Sequence, residues 1–239
     1  MKKLQPVSIN TGRLPLPSSG GVLAPEQNRV LRNTYWLLAL SMLPTIAGAF
    51  VGQQFNLARV FIANPILAPL VMFGLMLGSL FVVSALRNSV WGVVAIFGFT
   101  FIAGLALTPI LTHAAGFSNG GQLVALAGGM TAVIFFALAT FATVTKKDFS
   151  FMGKFLFIGV ILLLVAMLAN LFFQIPALSL TLSAIAVLLF SAFILYDVSR
   201  IVNGGETNYV MATMSLFLNI YNVFISLLNL LLAFTGNRE

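Results

Sequence analysis

The sequence predicts an all-α integral membrane protein with seven transmembrane helices. Of its 239 residues, 60% are hydrophobic and only 7% are charged, whereas about 25% of the residues in a soluble domain are charged. The mean hydropathy is +1.06. A water-facing surface cannot be built from so few charges, which excludes a soluble enzyme, a disordered chain and a nucleic-acid-binding domain.

Seven stretches have the roughly 20 mostly apolar residues that a membrane-spanning helix needs. In chain order they are Tyr35–Val51, Pro65–Ala85, Val90–Leu111, Leu123–Val144, Lys154–Phe173, Pro176–Tyr196 and Tyr209–Phe234. These spans predict a membrane domain over residues 34–235. Residues 1–33 are polar and rich in proline and glycine, without the apolar segment of a signal peptide, so they predict a flexible cytoplasmic tail.

Prolines and one short connection define several of these spans. Pro65 and Pro176 fall in the first turn of the second and sixth spans, where a missing N–H costs nothing. Pro44 and Pro69 lie within spans and predict kinks. The fifth and sixth spans are separated only by Gln174 and Ile175, so these two helices are expected to be antiparallel neighbours.

The distribution of positive charge predicts the orientation in the membrane. Excess Lys and Arg in short loops marks the cytoplasmic side. One side receives ten cations: Lys2, Lys3, Arg13, Arg29, Arg32, Arg87, Lys146, Lys147, Lys154 and Arg200. The other side receives Arg59 and Arg238. The N-terminus is therefore predicted to be cytoplasmic, whether the last segment spans fully or is re-entrant.

Asp197 is the acid closest to the hydrocarbon, and ionisable residues within spans are functional candidates. One interpretation is an interfacial acid paired with Arg200, which lies one turn later. The alternative is a buried, functional carboxylate. Glu206 lies in the following loop.

The last span carries a stripe of polar residues on one face. The members are Ser215, Asn219, Asn222, Ser226 and Asn229. Their 4-3-4-3 spacing places them within an arc of roughly 80° on a helix. Amides that faced lipid would lose hydrogen bonds, so the stripe is expected to face the bundle interior. It either joins helices through hydrogen bonds or lines a hydrated or ligand-facing surface.

The remaining features do not predict catalysis or a metal site. Gly74 and Gly78 form a small-residue packing face. His113 is the only histidine and the chain has no cysteine, so no metal site and no cofactor are predicted. Ser118, five residues after His113, lies in a loop and lacks the context of a catalytic serine.

Several motifs resemble the Bax inhibitor-1 family, and most closely its bacterial YccA-type branch. They are Val30–Tyr35, Thr145–Asp148, Gln174–Leu178, Phe193–Asp197, Gly204–Tyr209 and Ser215–Asn222. The resemblance extends from about Val30 to Leu232. It implies six helices wrapped around a central, polar-striped last helix.

The resemblance also implies a function. Members of this branch bind the membrane-anchored, ATP-dependent FtsH protease of the bacterial inner membrane and restrain its degradation of membrane proteins, a non-enzymatic role. A tail of about 33 residues at roughly 3.3 Å each would reach on the order of 100 Å, far enough for such a protease to grip. Other members are pH-sensitive calcium or proton leak channels gated by two aspartates. The positions matching that pair here are Asp197 and Asn219, and the amide in place of the second carboxylate argues against the leak alternative.

Overall fold

The computed structural model describes residues 25–236, and within them the chain folds into nine helices. They are α1 (Pro25–Gln54), α2 (Leu57–Ala63), α3 (Leu67–Leu86), α4 (Val90–Ala106), α5 (Thr108–Ala115), α6 (Gly120–Thr145), α7 (Met152–Phe173), α8 (Pro176–Val202) and α9 (Tyr209–Gly236). Seven spans are long and apolar enough to cross a membrane, with α4 and α5 together forming one of them. The predicted all-α membrane fold is confirmed.

The first helix begins earlier than the hydropathy predicts. Residues 25–33, which the sequence analysis assigned to the tail, form the first turns of α1, and Leu31 among them is buried. Hydropathy marks where the chain becomes apolar, whereas a helix extends beyond the hydrocarbon when its polar residues allow it. Pro25 suits a first turn, and Glu26 interacts favourably with the N-terminal end of the helix dipole. The rest of the predicted tail, residues 1–24, lies outside the described residues.

The third span is divided near its end. α4 ends at Ala106, and α5 begins at Thr108 with Pro109 in its first turn. The proline lacks the N–H that would donate to the Leu105 carbonyl in a continuous helix, which accounts for the break. Pro69 is the third residue of α3, where no intrahelical hydrogen bond is lost, so it has no reason to kink that helix. α1 continues through Pro44 to Gln54.

Loop contacts bring most of the described cations to one end of the bundle. The Asn208 amide donates to the Arg87 carbonyl at 3.0 Å, which joins the α8–α9 loop to the α3–α4 loop. The Ser199 hydroxyl donates to the Lys147 carbonyl at 2.9 Å, which joins α8 to the α6–α7 loop. We call this the basic end. Among residues 25–236 it holds Arg29, Arg32, Arg87, Lys146, Lys147, Lys154 and Arg200, while Arg59 lies at the opposite end.

Close packing between α1 and α4 depends on two glycines. A Cβ atom at Gly104 would collide with the Thr45 carbonyl, and one at Gly48 would collide with the Phe101 carbonyl. The packing face predicted at Gly74 and Gly78 is wrong for contacts within residues 25–236, because a Cβ at either position would meet none of their atoms within 4 Å. Glycine spacing alone does not show which way a helix face points.

α9 is the most buried of the spans, and half of the residues in its most apolar stretch are buried inside the bundle. It packs against α8, α6 and α1, and over shorter stretches against α3, α4 and α5. The Tyr221 hydroxyl donates to the Ala103 carbonyl of α4 at 2.9 Å. At 1.5 Å per residue its 28 residues extend about 42 Å, which favours a full span over the re-entrant alternative. Six helices wrapped around α9 remains a prediction.

Candidate functional site

The centre of the site is a hydrogen bond between α8 and α9. Asn219 Nδ2 donates to Asp197 Oδ2 at 2.8 Å. Both side chains are buried, with 6% and 8% of their surface exposed. A short loop at the basic end makes α8 and α9 antiparallel, and this brings the two residues level. Because a buried carboxylate requires a hydrogen-bond donor, the pair holds the two helices together at this depth.

Arg200, the partner proposed for Asp197, interacts elsewhere. Its guanidinium forms an ion pair with Glu206 at 3.6 Å and donates to the Gly205 carbonyl at 3.2 Å. It also lies over the Tyr196 ring, 5.6 Å from the centroid. Of the two interpretations of Asp197, the geometry therefore favours the buried carboxylate. Arg200 and Glu206 close the α8–α9 loop.

A second cluster of hydrogen bonds lies one turn from Asp197 towards the basic end. The fully buried Ser199 hydroxyl accepts from the Phe149 N–H at 3.1 Å while donating to the Lys147 carbonyl. Asn203 Nδ2 donates to Ser199 Oγ at 3.2 Å and to the Lys147 carbonyl at 3.3 Å. The sequence analysis missed these two residues, because their partners are backbone groups about 50 positions away in sequence.

The half of the polar stripe that lies farther from the basic end lines a cavity. The cavity measures about 400 Å³ and lies between α7, α8 and α9 towards the opposite end. Seven polar residues line it: Asn170, Gln174, Ser179, Ser183, Asn222, Ser226 and Asn229. At about 30 Å³ per water molecule, it has room for on the order of ten. The arrangement provides a polar compartment that ends one helical turn from Asn219.

The polar stripe thus has two environments. Asn219 bonds directly to α8, while Asn222, Ser226 and Asn229 face the cavity. The Asn222 amide donates to the Leu218 carbonyl of its own helix at 2.8 Å, and Ser215 is half-buried towards the basic end. Asn219 thus joins two helices, and a hydrated or ligand-facing role for the cavity-lining part of α9 remains a prediction.

The sequence analysis also missed the residues that α8 contributes to the cavity, although a signal was available. Asp197 follows Ser179 by 18 residues, which is five full helical turns, and Ser183 follows Ser179 by about one turn. The three residues therefore share one face of α8. A helical projection of the sixth span, like the one applied to the last span, would have shown this shared polar face as a candidate to meet the stripe of α9.

The residues considered for catalysis stay apart from this site. His113 is exposed at the end of α5, edge-on to Phe117 at 5.4 Å between ring centroids, and Ser118 is exposed in the next loop. Within residues 25–236, no three His, Asp or Glu side chains lie close enough together to hold a metal ion.

Residues 27–236 match the family described as "Inhibitor of apoptosis-promoting Bax1". The chain belongs to this Bax inhibitor-1 family. The family resemblance read from the sequence is thereby confirmed. That the positions of Asp197 and Asn219 match an aspartate pair of other members remains a prediction from the resemblance.

Curated relatives extend the comparison across nearly the whole chain. An uncharacterized protein of Pseudomonas aeruginosa is 45% identical over 86% of this chain and 89% of its own length. An uncharacterized membrane protein of Vibrio cholerae is 42% identical over 86% of this chain and 90% of its own. The "Modulator of FtsH protease YccA" of Escherichia coli K12 is 39% identical over 85% and 90%, respectively. A relative from another Escherichia coli strain is named "Inner membrane protein YccA".

Proposed function

We propose that this chain binds a membrane-anchored, ATP-dependent protease of the FtsH type and restrains its degradation of membrane proteins. The observation that carries the proposal is the relative named as a modulator of that protease, which is 39% identical across 85% of the chain. The role is regulatory and non-enzymatic. The protein would lie in the bacterial inner membrane with its basic end and N-terminus in the cytoplasm, as the distribution of Lys and Arg predicts.

Contacts of the last helix support the proposal, because a modulator of an unfolding protease has to resist extraction. Three contacts attach α9 and the residue before it to other elements: Asn219 to Asp197, Tyr221 to the Ala103 carbonyl, and Asn208 to the Arg87 carbonyl. Pulling on one end of the chain would have to break these contacts and expose the buried face of α9. The N-terminal segment is the part that we expect the protease to hold.

Co-purification and substrate turnover test this function together. The full chain and a variant lacking residues 1–24 are overproduced in bacteria that contain an FtsH-type protease. A variant with the same 24 residues in shuffled order controls for length and composition. We expect the full chain to co-purify with the protease from detergent and to lengthen the half-life of a known membrane substrate, and we expect the truncated variant to do less. If neither association nor half-life responds to the full chain, the proposal is wrong.

The polar cavity favours a second candidate function, a pH-sensitive proton or calcium leak. Polar residues line the cavity to within one turn of Asn219 and the buried Asp197. The test is ion flux into liposomes at mildly acidic and mildly basic pH, with Asp197→Asn as the control. Flux that Asp197→Asn changes would support the leak, whereas flux equal to that of empty liposomes would eliminate it.

A further inference from the structure

A long groove opens between α1 and α6, with α9 as its floor. Its volume is about 760 Å³, and its lining includes Leu38, Met42, Phe135, Phe136, Ile220 and Phe224. Three of the four threonines in its lining, Thr45, Thr131 and Thr143, donate their hydroxyls to carbonyls of their own helices. Thr131 donates to the Ala127 carbonyl and Thr143 to the Ala139 carbonyl, both at 2.7 Å. The groove therefore presents mainly methyl groups and rings to whatever occupies it, with the Tyr35 hydroxyl towards the basic end.

The groove follows the helix axes and ends near the basic end. On α1 the lining extends from Tyr35 to Thr45, and on α6 from Gly128 to Val144. At 1.5 Å per residue, these walls are about 15 Å and 24 Å long. One leaflet of a hydrocarbon core of about 30 Å is about 15 Å deep. The dimensions match an extended acyl chain in the leaflet at the basic end.

Two cations flank the groove where it reaches the basic end. Arg32 lies one turn before Tyr35 on α1, at the lipid-facing edge of the wall, and its side chain is exposed. Lys146 follows Val144 by two residues and is half-buried. Within residues 25–236 neither cation has a carboxylate within ion-pair distance.

Asp148, an acid near Lys146, forms a hydrogen bond within its own loop. Asp148 Oδ1 accepts from the Ser150 N–H at 2.8 Å. Hydrogen bonds from the Ser150 side chain and backbone hold the pKa of Asp148 below its ordinary value. The acid next to the groove thus interacts with its own loop, which leaves Lys146 available to an external anion.

We propose that this groove binds an anionic phospholipid, with one acyl chain between α1 and α6 and the phosphate at Arg32 and Lys146. The apolar lining accounts for the chain, and the two cations account for the charged headgroup. A transmembrane helix of a partner fits less well. An apolar helix would leave Arg32 and Lys146 without an anionic partner, whereas a phospholipid headgroup supplies one.

Native mass spectrometry of the full chain tests the proposal. The protein is equilibrated in mixed micelles with phosphatidylglycerol or with phosphatidylcholine carrying the same acyl chains, and the retained lipid is measured. We expect phosphatidylglycerol to be retained preferentially. Arg32→Gln and Lys146→Gln should each reduce that preference about 5-fold. Arg59→Gln, which removes a cation at the opposite end, is the matched control and should leave the preference unchanged.

A second pair of variants tests the groove itself. Ala132→Phe fills the groove from α6, while Ala137→Phe adds the same ring to an exposed position of α6 outside the lining. We expect Ala132→Phe, and Ala39→Phe from the α1 wall, to reduce retention of both lipids. Ala137→Phe should not. Thermal unfolding of each variant establishes that it is folded.

Three outcomes would overturn the proposal. The first is equal retention of the two lipids by the unaltered chain. The second is a preference that survives removal of both Arg32 and Lys146. The third is that Ala132→Phe and Ala39→Phe leave lipid retention intact while abolishing association with the protease, because the groove would then receive a protein helix.

Discussion

The two halves of the α8–α9 interface use similar residues with different results. Near the basic end, Asn219 and Asp197 are buried and hydrogen-bonded to each other, and Ser199 links α8 to the α6–α7 loop. Towards the opposite end, Ser183, Asn222 and Ser226 face a cavity of about 400 Å³. A polar side chain stabilises a helix interface only where a partner is within reach. Elsewhere, the same side chains create space suited to water.

Replacement of Asn219 should have the largest effect on stability. Asn219→Leu leaves the Asp197 carboxylate buried without its amide donor, and we expect a loss of about 2–3 kcal/mol, or roughly 5–10 °C in Tm. Asn222→Leu, one turn later and facing the cavity, is the matched comparison and should cost much less. Thermal unfolding in detergent micelles measures both.

The pair can also be removed as a unit. Replacing both members of a buried hydrogen bond with apolar groups of similar shape is often close to neutral. The double variant Asp197→Leu with Asn219→Leu should therefore unfold at a higher temperature than Asn219→Leu alone. Equal unfolding temperatures for the single and double variants would contradict the assignment of this bond as the main contact in the half of the α8–α9 interface near the basic end.

Ser199→Ala should have the next largest effect. The Phe149 N–H loses its acceptor, while the Lys147 carbonyl keeps only the 3.3 Å bond from Asn203. We expect destabilisation of about 1–2 kcal/mol, measured by the same thermal unfolding. Thr181→Ala is the control, since the exposed Thr181 hydroxyl donates only to the Ala177 carbonyl of its own helix. Comparable losses for the two variants would show that the link to the α6–α7 loop contributes little.

Ser226→Ala should change stability least. Ser226 is buried but lines the cavity, so we expect a change within about 0.5 kcal/mol in thermal unfolding. A loss as large as that of Ser199→Ala would show that the Ser226 hydroxyl has a direct partner, and the contrast between the two halves would fail.

The access of water to the cavity can be tested with introduced cysteines, because the native chain has none. Ser183→Cys faces the cavity, whereas Ala186→Cys lies one turn further along α8 at a fully buried position. A hydrophilic thiol reagent should label Ser183→Cys several-fold faster than Ala186→Cys. Equal rates would mean that the cavity is not the hydrated compartment that its lining indicates.

The sequence predicted the spans well because hydropathy is a sum over residues and needs no tertiary information. Helix ends depend on local detail that this sum does not contain. The start of α1 at Pro25 lies among charged residues, and the break at Leu107 depends on a single proline in an apolar run. Both were missed for that reason.

The site was partly predictable. The arc of the stripe follows from helix geometry alone, but that geometry does not show that Asn219 bonds to α8 while Asn222 and Ser226 line a cavity. To identify the partner of Asp197, one must know the rotation and register of α8 and α9 relative to each other, which depend on tertiary packing. Arg200 is nearer to Asp197 in sequence, yet Arg200 pairs with Glu206. The partner of Asp197 is Asn219. Gly48 and Gly104 likewise became identifiable as packing glycines only once α1 and α4 were placed together.

Asn208 has a consequence for how the protein is made. Its side chain caps α9 through the Val210 and Met211 N–H groups and also reaches Arg87 and Asn88. Arg87 is synthesised 121 residues before Asn208, which at 5–20 residues per second is roughly 6–24 s. Throughout that interval, the early helices are in the bilayer without the contact that closes their loop. The α3–α4 loop therefore gains this contact only after the start of α9 has been synthesised.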